Sequence, residues 1–280
     1  MRCKIMILTL LLVFVAGSVA ATDAETELVN KYLKRTQEKH VKKLSWFGVD
    51  FTLNRINRQN DYNAFATTES ANFPNAELQW LNQAPSIGVN MGLLFKDRWA
   101  WSVGGEYWLK LGDDLGGPYD YITSSGTVTV QQLKSQISVF GLTTGMQFYP
   151  FAHPSIVNGI ERFSLRFGGN VGWYHASWDV WEEYQSLNLA TSSAEGQNIT
   201  FKGSSLGLSA VAGADYPLGM KNLVLAVEAQ YLYLNLGNVA WYNRADQEIV
   251  ATYNGSPTGR VDLDLSGFRG KVEIKRYFSW

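Results

Sequence analysis

Eight stretches of this chain repeat their apolar side chains at every second position, with small, polar or charged residues between them. An extended strand sends successive side chains to opposite faces, so each stretch reads as a strand with one greasy face. The first carries Phe47, Val49, Phe51 and Leu53, and the second Ile87, Val89, Met91, Leu93 and Phe95. Trp99, Trp101, Val103, Tyr107 and Leu109 mark the third, and Phe140, Leu142, Thr144, Met146 and Phe148 the fourth. The fifth has Phe163, Leu165, Phe167, Val171 and Trp173; the sixth Leu206, Leu208, Ala210, Ala212, Ala214 and Tyr216. Leu223, Leu225, Val227, Ala229, Tyr231 and Tyr233 form the seventh, and Val272, Ile274, Phe278 and Trp280 the eighth.

The connections alternate in length. Lys96 to Arg98, Pro150 to Gly159 and Pro217 to Asn222 are short; Asn54 to Ala84, Gly112 to Gln132, Ala176 to Gly203 and Asn235 to Arg260 are long. This layout predicts an all-β, antiparallel, up-and-down transmembrane barrel of eight strands with both chain ends on the short-turn side. Ten strands would result if a strand-like piece of a long loop, such as Glu248 to Tyr253 or Thr127 to Val130, entered the bilayer. Aromatic side chains cluster beside the short turns (Trp99, Tyr149, Phe163, Tyr216, Tyr277, Trp280). A second set lies beside the long loops (Trp80, Tyr107, Trp108, Trp173, Tyr174, Tyr231, Tyr233). Rings with a polar handle favour the headgroup level, so two girdles are expected, anchored by Trp99, Tyr149, Trp173, Tyr216, Tyr231 and Trp280. A soluble barrel would bury its apolar side chains and would gain nothing from belts at both rims.

The ends of the sequence agree with an exported barrel. Arg2 and Lys4 precede an apolar run from Ile5 to Ala16, and Ser18-Val19-Ala20 offers small residues for a cut, so residues 1–21 read as a signal peptide. The run is shorter than the roughly 20 apolar residues of a membrane-spanning helix. Residues 22–43 read as a periplasmic amphipathic helical segment with Leu28, Val29, Tyr32, Leu33 and Val41 at helical spacing, and residues 44–280 as the barrel domain. Cys3, in the leader, is the sole cysteine, so disulfides and Cys-type zinc sites are excluded from the processed chain. The closing segment, with its alternation and terminal Trp280, resembles the C-terminal strand of the small bacterial outer-membrane β-barrel superfamily. That resemblance implies a Gram-negative outer-membrane protein inserted by the barrel-assembly machinery, in contact with outer-membrane lipid and lipopolysaccharide, and monomeric. Arg276 is the misfit, since its parity points to lipid; near the chain end it would snorkel to headgroups.

The opposite parity defines the expected lumen. It is small or polar, and its charges are Asp50, Glu106, Arg166, Asp215, Glu228, Arg269, Lys271, Glu273 and Lys275. An eight-stranded barrel is just wide enough for side chains to fill. These charges are therefore expected to pair, because an unpaired buried ion costs far more than a paired one. Such a lumen suits a structural or surface-binding barrel; exchangeable pairs would suit a narrow, porin-like pore.

Catalytic and ligand signals are sparse. Lys and Arg number 24 against 25 Asp and Glu, which leaves no basic footprint for nucleic acid. The three histidines, His40, His153 and His175, lie far apart, so neither a metal nor a cofactor is expected. His175-Ala176-Ser177 resembles the His-x-Ser pair of the lipid A deacylases, small barrels whose catalytic residues face lipid. The resemblance implies a hydrolase with His175 as base and Ser177 as nucleophile, the orienting acid open among Glu182, Glu183 and Glu195. Asp113-Asp114 before Gly116-Gly117-Pro118 reads as a solvated turn. Recognition by the long loops is the third reading, through Phe65, Phe73, Trp80, Trp178, Trp181, Tyr184, Trp241, Tyr242 and Tyr253. The non-enzymatic readings are favoured over the hydrolase.

Overall fold

Alternation over 11 to 25 residues is enough to cross a bilayer by strand, and a strand in lipid must find a backbone partner on both sides. A computed structural model describes residues 44–57, 59–72, 80–95, 98–123, 126–151, 163–184, 199–218, 222–243, 245–248, 251–253, 256–258 and 260–279. The expected signal peptide, the helical segment and Trp280 lie outside the described residues.

Strands β1 (Leu44–Ile56), β2 (Gln83–Phe95), β3 (Trp99–Thr123), β4 (Gly126–Phe148), β5 (Ser164–Tyr184), β6 (Ile199–Pro217) and β7 (Leu223–Tyr233) pair in sequence order. The strand β12 (Gly267–Ser279) pairs with both β7 and β1, and every contact is antiparallel. The result is a closed barrel of eight strands. Asp50 stands opposite Glu273 at the closing seam, and Lys271 opposite Glu228 on the other side of β12. The extra strand pieces do not enter the ring. Instead β8 (Asn235–Tyr242) and β11 (Val261–Asp264) pair with each other, and β8 joins the upper part of β6. Beside the kink between β7 and β8, Ser266 Oγ accepts from Leu234 N at 3.0 Å. A separate hairpin joins β9 (Ala251–Tyr253) to β10 (Ser256–Thr258).

The first two expected long loops also contain regular structure among the described residues. β3 and β4 run on as one hairpin to Thr123 and Gly126, bulged between Trp108 and Leu111 and between Gly116 and Tyr119, so Asp113 and Asp114 lie in a strand rather than a turn. The first loop holds a helix, α1 (Asp61–Asn72). Asn60 caps it by accepting from Asn63 N at 2.9 Å. Period-two reading misses α1 because its described buried residues, Tyr62, Asn63 and Ala66 with Phe65 packed beside them, follow helical spacing.

The side-chain environment of the barrel inverts along its length. In the middle the outward face is apolar and exposed, from Phe51 and Val89 to Leu142, Leu208, Val227 and Ile274, while the inward face is polar. Toward the long loops the outward row changes to Arg55, Gln83, Ser138, His175, Ser204 and Asn235. At the same level the inward row becomes Ile56, Trp108, Ile137, Tyr174, Trp178 and Leu232, all buried. α1 seals this apolar core, with the Tyr62 and Phe65 rings 5.2 and 5.3 Å from Trp178. A smaller apolar cluster of Trp46, Ala100, Tyr149, Val224 and Tyr277 closes the short-turn end.

Those clusters revise the girdles. Tyr149, Tyr277, Trp108 and Tyr174, expected among lipid, are buried inside. Parity explains each: Tyr149 is out of step with Phe148, Tyr277 with Phe278, Trp108 with Tyr107, and Tyr174 with Trp173. Trp99, Trp173, Tyr216 and Tyr231 face outward, between 40 and 58% exposed. Trp178, expected to be displayed on a loop, is buried and donates to Ser135 Oγ at 2.9 Å. Arg276 is exposed on the outer face, its guanidinium 5.8 Å from the Phe278 ring.

Candidate functional site: the charged lumen

The polar middle of the barrel is lined by two sets of buried ion pairs. Arg166, on β5, reaches side chains on β4, β6 and β7. Its Nε lies 3.0 Å from Asp215 Oδ1, Nη2 lies 2.7 Å from Glu228 Oε1, and Nη1 donates to Gln147 Oε1 at 2.6 Å. Lys275 reaches the same Asp215 at 3.4 Å and Glu273 at 3.9 Å. The hydroxyl of Tyr149 donates to the other Asp215 oxygen at 2.9 Å.

A second cluster crosses the lumen. Arg269 on β12 grips Glu106 on β3 with both terminal nitrogens, the Nη1 to Oε1 distance being 3.1 Å. The fork geometry suits a guanidinium facing a carboxylate. Its guanidinium also sits 5.8 Å from the Trp108 ring, where charged belt meets apolar core. Lys271 extends the first cluster toward β1, 3.3 Å from Asp50 and 3.7 Å from Glu273. Five carboxyls meet four cations here, and Asp50 takes further donors from neutral groups, Asn90 Nδ2 at 2.5 Å and Thr52 Oγ1 at 3.3 Å.

All nine charged residues singled out by parity thus take part in these ion pairs, although the pairing differs from strand adjacency. Glu228, opposite Lys271 in register, is instead bonded to Arg166 and to Gln230 Nε2. Gln147 and Tyr149 were absent from the expected set; their offset from Met146 and Phe148 was the available signal. Glycine supplies the space. A Cβ on Gly48 would collide with the Glu273 carboxyl, and one on Gly88 would come within 2.7 Å of the Asp50 carboxyl. Each acid therefore leans over the glycine of the next strand. The belt leaves about 40 Å³ of internal space, enough for a few water molecules.

His175 and Ser177 share the outward parity of Trp173 on β5. The Nδ1 of His175 lies 2.9 Å from Ser204 Oγ on β6, and Trp173 stacks on the ring at 6.1 Å. Among the described residues no hydrogen bond joins His175 to Ser177, and nothing is described of the Glu182, Glu183 and Glu195 side chains. His40 and His153 lie outside the described residues. No group of three or more His, Cys, Asp or Glu suited to a metal occurs among the described residues.

No family model matches the chain, and no curated protein matches it. Among solved structures it is similar to outer-membrane barrels at low identity. The outer membrane protein OprG from Pseudomonas aeruginosa is 14% identical over 85% of this chain and 96% of its own, with a TM-score of 0.46. A major outer membrane protein from Thermus thermophilus is 11% identical over 84% of this chain and 99% of its own, at 0.43. Ail, the attachment invasion locus protein of Yersinia pestis, solved with the heparin analogue sucrose octasulfate, is 13% identical over 85% and 100%, at 0.40.

Proposed function

We propose that the protein resides in a bacterial outer membrane, where its barrel is a closed, non-conducting scaffold that holds the long-loop end above the lipid. The observation that carries this reading is the double closure of the interior. Across the middle, ion pairs fill the lumen and leave room for only a few waters. Above them lies an apolar core with α1 packed into it, an environment costly for water and ions to enter. The outer face supports the location, because an exposed apolar band with aromatics at both edges is stable against lipid and not against water.

Planar-bilayer recording with the refolded full chain tests the reading. Insertion without steady ion conductance is expected. A stable, selective conductance that vanished in Arg269→Ala would replace the scaffold with a pore.

A further inference from the structure

The inner edge of the polarity inversion carries the ion-pair belt; its outer edge carries an arginine that nothing in the lumen explains. Arg55 points outward on β1, one outward step beyond the lipid-facing Leu53, and is exposed. Its register neighbours are Phe268 on β12 and Gln83 on β2. The other described cations near this end differ: Lys202 is 2.5 Å from Asp246, and Arg260 is 2.7 Å from Glu248. Among the described residues no ion pair engages Arg55.

Two grooves meet at Arg55. One continues along the amides of Gln83 and Asn82. The other, about 310 Å³, runs under the exposed rings of Tyr231, Tyr233 and Phe268. Tyr231 and Phe268 meet edge to face at 5.1 Å, which fixes the wall of that groove. Asp264 lines the same groove and is held in place there: Oδ1 accepts from Ser266 N at 2.9 Å and Oδ2 from Asn57 Nδ2 at 3.0 Å.

We propose that this surface binds a phosphorylated glycolipid of the leaflet that faces the long loops. The proposal rests on the outer-membrane reading above. A guanidinium at headgroup depth suits a lipid phosphate, which it engages through paired N–H donors. The aromatic wall presents flat faces for a pyranose ring, and the amides of Gln83 and Asn82 match sugar hydroxyls. Leu53 and Val272, exposed just below, continue the site into the acyl zone. A phosphoglyceride would satisfy Arg55 and leave the amides and rings unused.

Native mass spectrometry of the refolded full chain in detergent tests this with three probes: diphosphorylated lipid A, its dephosphorylated form, and phosphatidylglycerol. Diphosphorylated lipid A should be retained most strongly. Arg55→Gln should weaken it about tenfold or more, the loss expected for a charged hydrogen-bonding contact. Phe268→Ala should weaken lipid A and leave phosphatidylglycerol unchanged, and Arg98→Gln, at the short-turn end, should change neither. Equal retention of phosphatidylglycerol and lipid A, an unaffected Arg55→Gln, or an equal loss in Arg98→Gln would each overturn the glycolipid site. Insertion into vesicles, scored in parallel, separates the two claims. A chain that inserts without this preference sinks only the site, whereas one that does not insert removes the outer-membrane reading with it.

Discussion

Strand β5 passes through two interiors that obey opposite rules. In the middle of the barrel it turns Arg166 and Asn170 inward and Phe167, Val171 and Trp173 outward. A few residues on, Tyr174, Ala176 and Trp178 face in, while His175, Ser177 and Asp179 face out. The alternation never changes phase; only the chemistry assigned to each face does. What differs is the medium outside. Where lipid surrounds the wall, the outward face must be apolar, and the interior is left to hold the polar residues, which pair with one another. Where water surrounds it, the hairpins behave as a soluble β-structure and bury their apolar side chains. The inversion therefore marks where the protein leaves the hydrocarbon.

The largest test of that comparison removes the central cation of the buried belt. Arg166→Met leaves Asp215 and Glu228 without their main partner, and stripping one member from a buried ion pair costs about 3–5 kcal/mol. The matching change above the membrane, Arg260→Met, removes a half-exposed pair with Glu248, worth about 0–1 kcal/mol. Urea unfolding in lipid vesicles should separate the two variants clearly. Similar losses would mean that the belt is solvated and the two interiors are not distinct.

A smaller effect sharpens the boundary itself. Val227 faces lipid near the middle of β7, and Asn235 begins β8 one outward step beyond Tyr233. Arginine at the midplane of a barrel's lipid face costs about 2–4 kcal/mol, and near the interface about 0–1 kcal/mol. Val227→Arg should therefore lower the unfolding free energy by the first amount and Asn235→Arg by the second. Equal penalties at both sites would erase the boundary drawn between them.

The sequence made the wall of the barrel legible and its upper interior less so. Two-residue periodicity is a local property, so the outward rows from Phe47 to Phe278 and the parity of all nine lumen charges could be read directly. Which charges touch is a property of the closed ring: Arg269 meets Glu106 across strands far apart in the chain. Tyr149, Trp108 and Tyr174 were misplaced because aromatic residues near a barrel rim serve equally well in a girdle or in a core. Only strict parity with a neighbouring residue distinguishes those positions. α1 left no period-two signal, since its described buried residues, Tyr62, Asn63 and Ala66, follow helical spacing and form no long apolar stripe.

That short helix carries the finest test of the comparison. If the long-loop end is an independent, soluble-type core, α1 should be able to loosen without disturbing the belt below. Asn60 holds its first turn through the bond from Asn63 N, and Asn63 in turn accepts from Leu81 N at 2.6 Å. Replacing such a cap with alanine costs a helix about 1 kcal/mol. Asn60→Ala should therefore raise amide exchange in α1 by roughly fivefold, the factor that free energy gives. Protection of the β5 amides around Arg166 should stay unchanged, because local opening need not involve the barrel wall. Faster exchange at both places would show that the cap and the charged belt open as one unit, and that the inversion divides only the chemistry of the wall and not its stability.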